Sequence, residues 1–116
     1  MKDQARDEPI RDECRWNCAR AGYAGFRLVE LPSVEAAKEF DDGSVWFVFI
    51  DGSHEYAAVR ADAEAWLPHV RPGGLVAFHD YGGWPGPTLV VTELETAGRL
   101  IRVGHVDGTW IGRVPQ

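Results

Sequence analysis

Two stretches of the chain, Val45-Trp-Phe-Val-Phe-Ile50 and Leu75-Val-Ala-Phe78, run apolar without polar interruption and are rich in β-branched and aromatic residues. Such runs are expected of strands covered on both faces, which makes both parallel strands inside a sheet and not edge strands. Between them, His54 to Val70 has the length of a helix, with Ala57, Ala58, Ala61, Ala65 and Trp66 spaced to fill one face. The pattern is β-α-β, close to the shortest right-handed crossover. The first run ends in Asp51-Gly52-Ser53-His54 and the second in His79-Asp80-Tyr81. Ligands of open α/β sheets bind beyond the carboxyl ends of the strands, so Asp51, His54, His79 and Asp80 are expected on one rim.

Punctuation on either side extends this pattern. Residues 1–9 are charged, end in Pro9 and read as a disordered or remnant lead-in to one domain over residues 10–116. Ile10 to Ala21 is expected to be a helix, with Ile10, Cys14, Cys18 and Ala21 on one face and Gly22 as its stop. Phe26 to Leu31 reads as a short strand, Ser33 as the cap of a helix Val34 to Phe40, and Asp41-Asp42-Gly43 as a turn. Gly82-Gly83-Trp84-Pro85-Gly86-Pro87 is a loop, either a connector or a lid facing a substrate. Thr88 to Ala97 is helical, with Leu89, Val90, Leu94 and Ala97 apolar, and Leu100–Val106 and Thr109–Val114 form a hairpin through Asp107-Gly108. The expected fold is therefore α/β, with a mostly parallel sheet and a C-terminal antiparallel hairpin.

Composition narrows the partners. The 116 residues allow one domain with a modest core, and the net charge of −6 argues against nucleic-acid and anionic-membrane surfaces. No apolar run approaches the roughly 20 residues of a membrane span, and the first residues carry no signal-peptide core, so the expected location is cytoplasmic. Cys14 and Cys18 share a helix face, where a disulfide is geometrically poor, and no second pair completes a metal site; they read as small apolar residues kept reduced.

The ionisable cluster admits several chemistries. Asp51 and His54, separated by two small residues at a strand-to-helix turn, can share a site in which the carboxylate meets a metal or polar group and the imidazole acts as a base. Asp51 and Asp80 suit Mg²⁺ or Mn²⁺, whereas more histidine ligation would favour Zn²⁺. The plain alternative is that these residues cap and solvate strand ends, with Asp51 capping the following helix and His69 complementing its dipole. Trp16, Trp46 and Trp110 read as packing residues, whereas Trp84, amid Gly and Pro, could cover a substrate. Tyr81 reads as a rim hydrogen-bonding group or as filling beneath the loop, and His105 has no assigned role.

The string Phe49-Ile-Asp-Gly-Ser-His-Glu-Tyr56, followed by Val59, Asp62, Trp66-Leu67-Pro68 and Val70-Arg-Pro-Gly-Gly-Leu-Val-Ala-Phe-His-Asp-Tyr81, resembles the C-terminal half of class I S-adenosylmethionine-dependent methyltransferases. It is most similar to the small-molecule O-methyltransferase branch that includes macrocin-type sugar methyltransferases. The resemblance implies a partial Rossmann-like fold and methyl transfer from S-adenosylmethionine to a hydroxyl of a small-molecule acceptor. It implies that Asp51, His79 and Asp80 stand where Mg²⁺ is bound in metal-dependent members, with His79 replacing a frequent acid. It makes His54 the general base, Asp51 a catalytic and cofactor-site carboxylate, and Ser33 a cofactor contact near the adenine.

The resemblance begins near Arg11, and no strand followed by a Gly-rich turn precedes it. The first two strands of the family fold are therefore expected to be missing, as in a truncated member. In the usual strand order 3-2-1-4-5-7-6, their absence would leave unpaired edges beside Val45–Ile50, open to pairing in a homo-oligomer. The competing readings are a non-catalytic remnant acting as an assembly module and a metal-dependent hydrolase using Asp51, His54, His79 and Asp80.

Overall fold

The computed structural model describes residues 32–116. The expected helix carrying Cys14, Trp16 and Cys18 and the expected strand Phe26–Leu31 lie outside these residues. Helix α1 spans Ser33–Ala37, with Pro32 and not Ser33 at its N-cap. Ser33 lies inside the helix, and its Oγ accepts a hydrogen bond from Trp66 Nε1 at 2.9 Å, so the expected capping role is replaced by a tie to a neighbouring helix. Lys38 to Phe40 form a turn instead of continuing the helix, and Phe40 packs on Trp66 with ring centroids 5.3 Å apart.

Strand β1 spans Val45–Ile50, as expected. Helix α2 spans Tyr56–Trp66, and a 3₁₀ turn at Leu67–His69 carries the chain into strand β2, Val70–Phe78. The helix starts later than His54 because Ser53 Oγ accepts from the Glu55 N–H at 3.0 Å and Glu55 itself is extended. Pro68 tightens its last turn, since a proline cannot donate the next helical hydrogen bond. The buried face of α2 is Val59 and Ala63, continued by Leu67, an i, i+4, i+8 stripe. Of the expected face, Ala57 and Ala61 are exposed, whereas Ala58, Ala65 and Trp66 are half-buried.

Strand β2 is longer than its apolar run: Arg71-Pro72-Gly73-Gly74 lies within it and is not a turn ahead of it. The pairing of β1 with β2 is parallel and irregular between Val45 and Phe47, opposite this segment, where Pro72 has no N–H for the ladder. Gly74 has no room for a side chain, since a Cβ would stand 2.7 Å from Val70 Cγ1 and 3.0 Å from the Trp46 carbonyl oxygen.

Helix α3 spans Pro85–Thr96, and β3 (Ile101–Val106) and β4 (Thr109–Arg113) complete the described chain. Helix α3 begins three residues before Thr88 because prolines fit a first helical turn, whose N–H groups have no partners to lose. Its buried residues include Val90, Val91 and Leu94, while Leu89 is exposed. Asp107 and Gly108 both have positive φ, 47° and 79°, as a two-residue type I′ hairpin requires.

The sheet order is β1-β2-β4-β3, with β1 and β2 parallel and both remaining pairs antiparallel. Its core joins Val76 and Phe78 of β2 to Val90, Val91 and Leu94 of α3, with Leu100 and Trp110, each under 2% exposed. Trp110 is the packing residue that its setting predicted. Trp46 is not: it is 66% exposed, with the Arg71 guanidinium 3.5 Å over its ring. Phe47 and Phe49 are 53% and 49% exposed, so β1 is not covered on both faces. Among the described residues β1 ends the sheet, which is the physical reason. Among the same residues no helix is long and apolar enough to cross a membrane.

Candidate functional site

The carboxyl ends of β1 and β2 are joined by the His79 N–H, which donates to the Ile50 carbonyl at 3.0 Å. Beyond that link, Asp51 and His54 follow β1, and His79 and Asp80 follow β2. Asp80 takes a left-handed φ of 63°, a conformation that Asp tolerates better than most residues. That bend closes a tight turn, in which the Trp84 N–H donates to the Asp80 carbonyl at 3.2 Å and the Tyr81 N–H to the Gly108 carbonyl at 2.9 Å.

The four residues meet as the sequence predicts. His54 Nε2 lies 2.7 Å from Asp80 Oδ2, in hydrogen-bond contact. His79 Nδ1 lies 3.1 Å from the same Asp80 oxygen and 3.2 Å from Asp51 Oδ1. Burial raises the Asp80 carboxyl, but the hydrogen bond from His54, the close His79 and the positive charge that either ring can carry outweigh it and hold the group below its ordinary value of 3.8. Asp80 is thus a carboxylate near neutral pH. The expected alternative, Asp51 as the helix cap, is not found: Glu55 precedes α2 and no side chain caps it.

The same cluster offers donors of the kind a metal ion takes. Asp51, His79 and Asp80 each offer a ligand atom, and these atoms lie within 4.8 Å of one another. His79 Nδ1 is buried and, although close to two carboxylates, makes no hydrogen bond of acceptable angle to either. A buried nitrogen flanked by two carboxylates and left without a well-aligned partner fits a divalent cation, and the mixed nitrogen and oxygen donors suit Mn²⁺ or Zn²⁺ as well as Mg²⁺.

Asp51 also stands at the end of a groove of about 480 Å³ lined by Ser33, Phe40, Val45, the β1 residues 47–50, Gly52, Asp62 and Trp66. Ser33 therefore shares a surface with Asp51, although its oxygen already accepts from Trp66. The groove is mostly apolar, with Ser33, Asp51 and Asp62 as its polar side chains. Asp62 was named in the sequence only as part of the family resemblance and Phe40 only as the end of a helix; neither was given a place in the site.

Trp84 does not stand free as a cover. Its indole stacks on the His54 imidazole with centroids 4.0 Å apart and planes 14° apart. Tyr81 fills space near Trp110 and beside His105, and its hydroxyl accepts weakly from Arg102 Nη2 at 3.4 Å. His69, 3.7 Å from Asp42 and near the end of the 3₁₀ turn, is away from the cluster, as expected. Away from the rim, α2 and α3 are tied by a polar network. Tyr56 hydroxyl donates to Glu93 Oε1 at 2.7 Å, Arg60 Nη1 donates to the same oxygen at 2.9 Å, and Arg99 pairs with Glu64. The hydrogen bond to Glu93 raises the Tyr56 hydroxyl, and the Arg99 hydrogen bond lowers the Glu64 carboxyl.

A family model described as a methyltransferase domain matches residues 3–81, a span that contains all four rim residues. The chain belongs to the class I S-adenosylmethionine-dependent methyltransferases. Among solved structures, this methyltransferase chain is similar to MycE methyltransferase from the mycinamycin biosynthetic pathway in complex with Mg, SAH and mycinamycin VI. Identity is 27% and the TM-score 0.53, over 72% of this chain and 29% of that one. A crystal form of MycE with Mg and SAH matches at 26% identity and a TM-score of 0.52, over 72% and 30% of the two chains. An uncharacterized protein y4gI of Sinorhizobium fredii (strain NBRC 101917 / NGR234) is 41% identical over 54 residues, which are 47% of this chain and 6% of that protein. The methyltransferase chain thus spans under a third of the MycE chains and a small part of y4gI. Its strand order β1-β2-β4-β3 is the 4-5-7-6 end of the family sheet, a partial Rossmann-like fold.

Proposed function

We propose that these residues form the acceptor side of a methyltransferase site that moves a methyl group from S-adenosylmethionine to a hydroxyl of a small molecule, assisted by Mg²⁺. The observation that carries this reading is the shared Asp80 oxygen: His54 and His79 both approach it, so a base and a cation cradle meet at one atom. MycE, whose structures hold Mg and SAH, supports the cofactor and metal by likeness.

In this reading Asp51, His79 and Asp80 would hold the cation, which would supply orientation and polarisation of the acceptor hydroxyl. His54 accepts the hydroxyl proton. The oxygen forms the new bond to the methyl carbon as the carbon–sulfur bond breaks, and the bonding pair returns to sulfur, leaving a neutral thioether. Asp80, ionised, stabilises the imidazolium that this proton creates. Ser33, Asp51 and the apolar groove face the cofactor, and alignment of oxygen, carbon and sulfur supplies much of the acceleration.

The test is transfer of labelled methyl from S-adenosylmethionine to a panel of sugar and phenolic hydroxyls, with Mg²⁺ and with chelator. Turnover is expected only with Mg²⁺ and is expected to fall about 10²–10⁴-fold in His54→Ala, the range for loss of a general base. Turnover that survives both changes contradicts the reading.

A second reading rests on the exposed Trp46, Phe47 and Phe49 of β1: pairing of this strand between copies in a homo-oligomer. Concentration-dependent sedimentation, abolished by Phe47→Lys, tests it; a monomer at all concentrations rejects it.

A further inference from the structure

We infer that Trp84 is a positioning residue that fixes the His54 imidazole against Asp80, an inference that rests on the proposed role of His54 as the base. His54 belongs to residues 51–55, which form neither helix nor strand, and its side chain is 41% exposed. Its polar tie is the contact of Nε2 with Asp80 Oδ2. One such contact sets the direction of a ring atom but leaves the ring plane free to turn about that line. The indole of Trp84 supplies the missing constraint by lying almost parallel to the imidazole at 4.0 Å.

Trp84 is itself held by the residue that receives His54. Its N–H donates to the Asp80 carbonyl at 3.2 Å, so Asp80 side chain, His54 ring, Trp84 ring and Trp84 backbone close a loop of contacts. Thr88 fastens the other side: its Oγ1 donates to the Trp84 carbonyl at 2.7 Å and accepts from the Gly82 N–H at 2.8 Å. Gly86 then brings the first turn of α3 onto the backbone of His54, where a Cβ would collide with the His54 carbonyl and stand 2.9 Å from the Tyr56 nitrogen. The loop of Gly and Pro after the rim is neither a plain connector nor a free lid; it clamps the base.

The test is NMR of the full chain with labelled histidine rings, His54 being assigned by its loss in His54→Gln. Stacked beneath an indole, the carbon-bound ring protons of His54 are expected upfield of free-imidazole positions. Trp84→Ala and Trp84→Leu are expected to return them to free-imidazole positions, and Trp84→Phe to keep part of the shift. Two variants guard against misfolding, since Trp84 is 48% exposed and outside the core. His54 protons that resonate alike in wild type and both aliphatic variants overturn the inference. With methyl transfer as the second readout, Trp84→Ala is expected to lower kcat about tenfold or more with KM little changed, and Trp84→Phe to restore it. Unchanged kcat in Trp84→Ala, in a chain whose turnover needs His54, also overturns positioning. If His54→Ala leaves turnover intact, the base reading has failed, and the ring protons alone decide the clamp.

Discussion

The two sides of β2 differ in how completely they are packed. Towards β4 and α3, Phe78, Trp110, Val90 and Leu94 are at most 1% exposed, although β3, at that end of the sheet, is itself exposed at Ile101, Val103 and Val106. Towards β1, Trp46, Phe47 and Phe49 stand about half exposed or more, beside a groove that runs from Ser33 to Asp51. The side towards α3 holds the buried core, and the side towards β1 holds the groove. The rim cluster sits on the boundary, with Asp80 anchored to the core side and Asp51 at the end of β1. Under the proposed role of His54, β2 and the first turn of α3 are the rigid support that gives the group its precision.

Substitutions on the two sides give the largest test of this contrast. Trp110→Ala is expected to cost about 3–5 kcal/mol, in the range for large aromatic deletions from a core, whereas Phe47→Ala is expected to cost under about 1 kcal/mol. Urea unfolding measures both. An equal cost would mean that β1 is covered in solution. A finer comparison uses two glycines after Asp80, Gly83 in the loop and Gly86 in the first turn of α3. Gly86→Ala, forced against His54, is expected to cost about 1–3 kcal/mol by overpacking, while Gly83→Ala, with nothing within 4 Å of its Cβ, is expected to change thermal stability by less than about 0.5 kcal/mol. Similar melting temperatures for the two variants would remove the clamp's steric half.

The smallest effect concerns the polar network between α2 and α3. Arg99 lowers the folded pKa of Glu64 below its ordinary 4.5, so its contribution is present above that value and is lost as pH falls through the lower folded value. Both partners are more than a third exposed, so solvent screening keeps the contribution to a few tenths up to about 1 kcal/mol. Glu64→Gln should therefore cost stability at pH 7, less in high salt, and progressively less as pH falls below 4.5. A loss that does not shrink on acidification would place its origin in packing.

Local signals were read well from the sequence where short-range chemistry decides. Val45–Ile50 was bounded by a Gly turn on one side and Asp51-Gly52 on the other, and Asp107-Gly108 could form only the turn it does form. The rim was legible because polar residues closed both apolar runs. Long-range facts were not. A continuous apolar strand reads the same whether it is buried or at the end of a sheet, so the exposure of Trp46, Phe47 and Phe49 had no local sign. The face of α2 was misread because Ala57 and Ala61 fit a helical stripe, but Val59 and Leu67, which are larger, bury more apolar surface. Trp84 was singled out for lacking an obvious packing partner, yet that partner is His54, a helix and a strand earlier in the chain.

The most direct measurement of the central claim is calorimetric titration of the full chain with Mn²⁺, repeated on Asp80→Asn and Asp51→Asn. One site in the wild type, weakened at least about tenfold in each variant, is the result that a cation cradle of Asp51, His79 and Asp80 predicts. A folded chain that binds no Mn²⁺, or binds it equally well in all three forms, would contradict it.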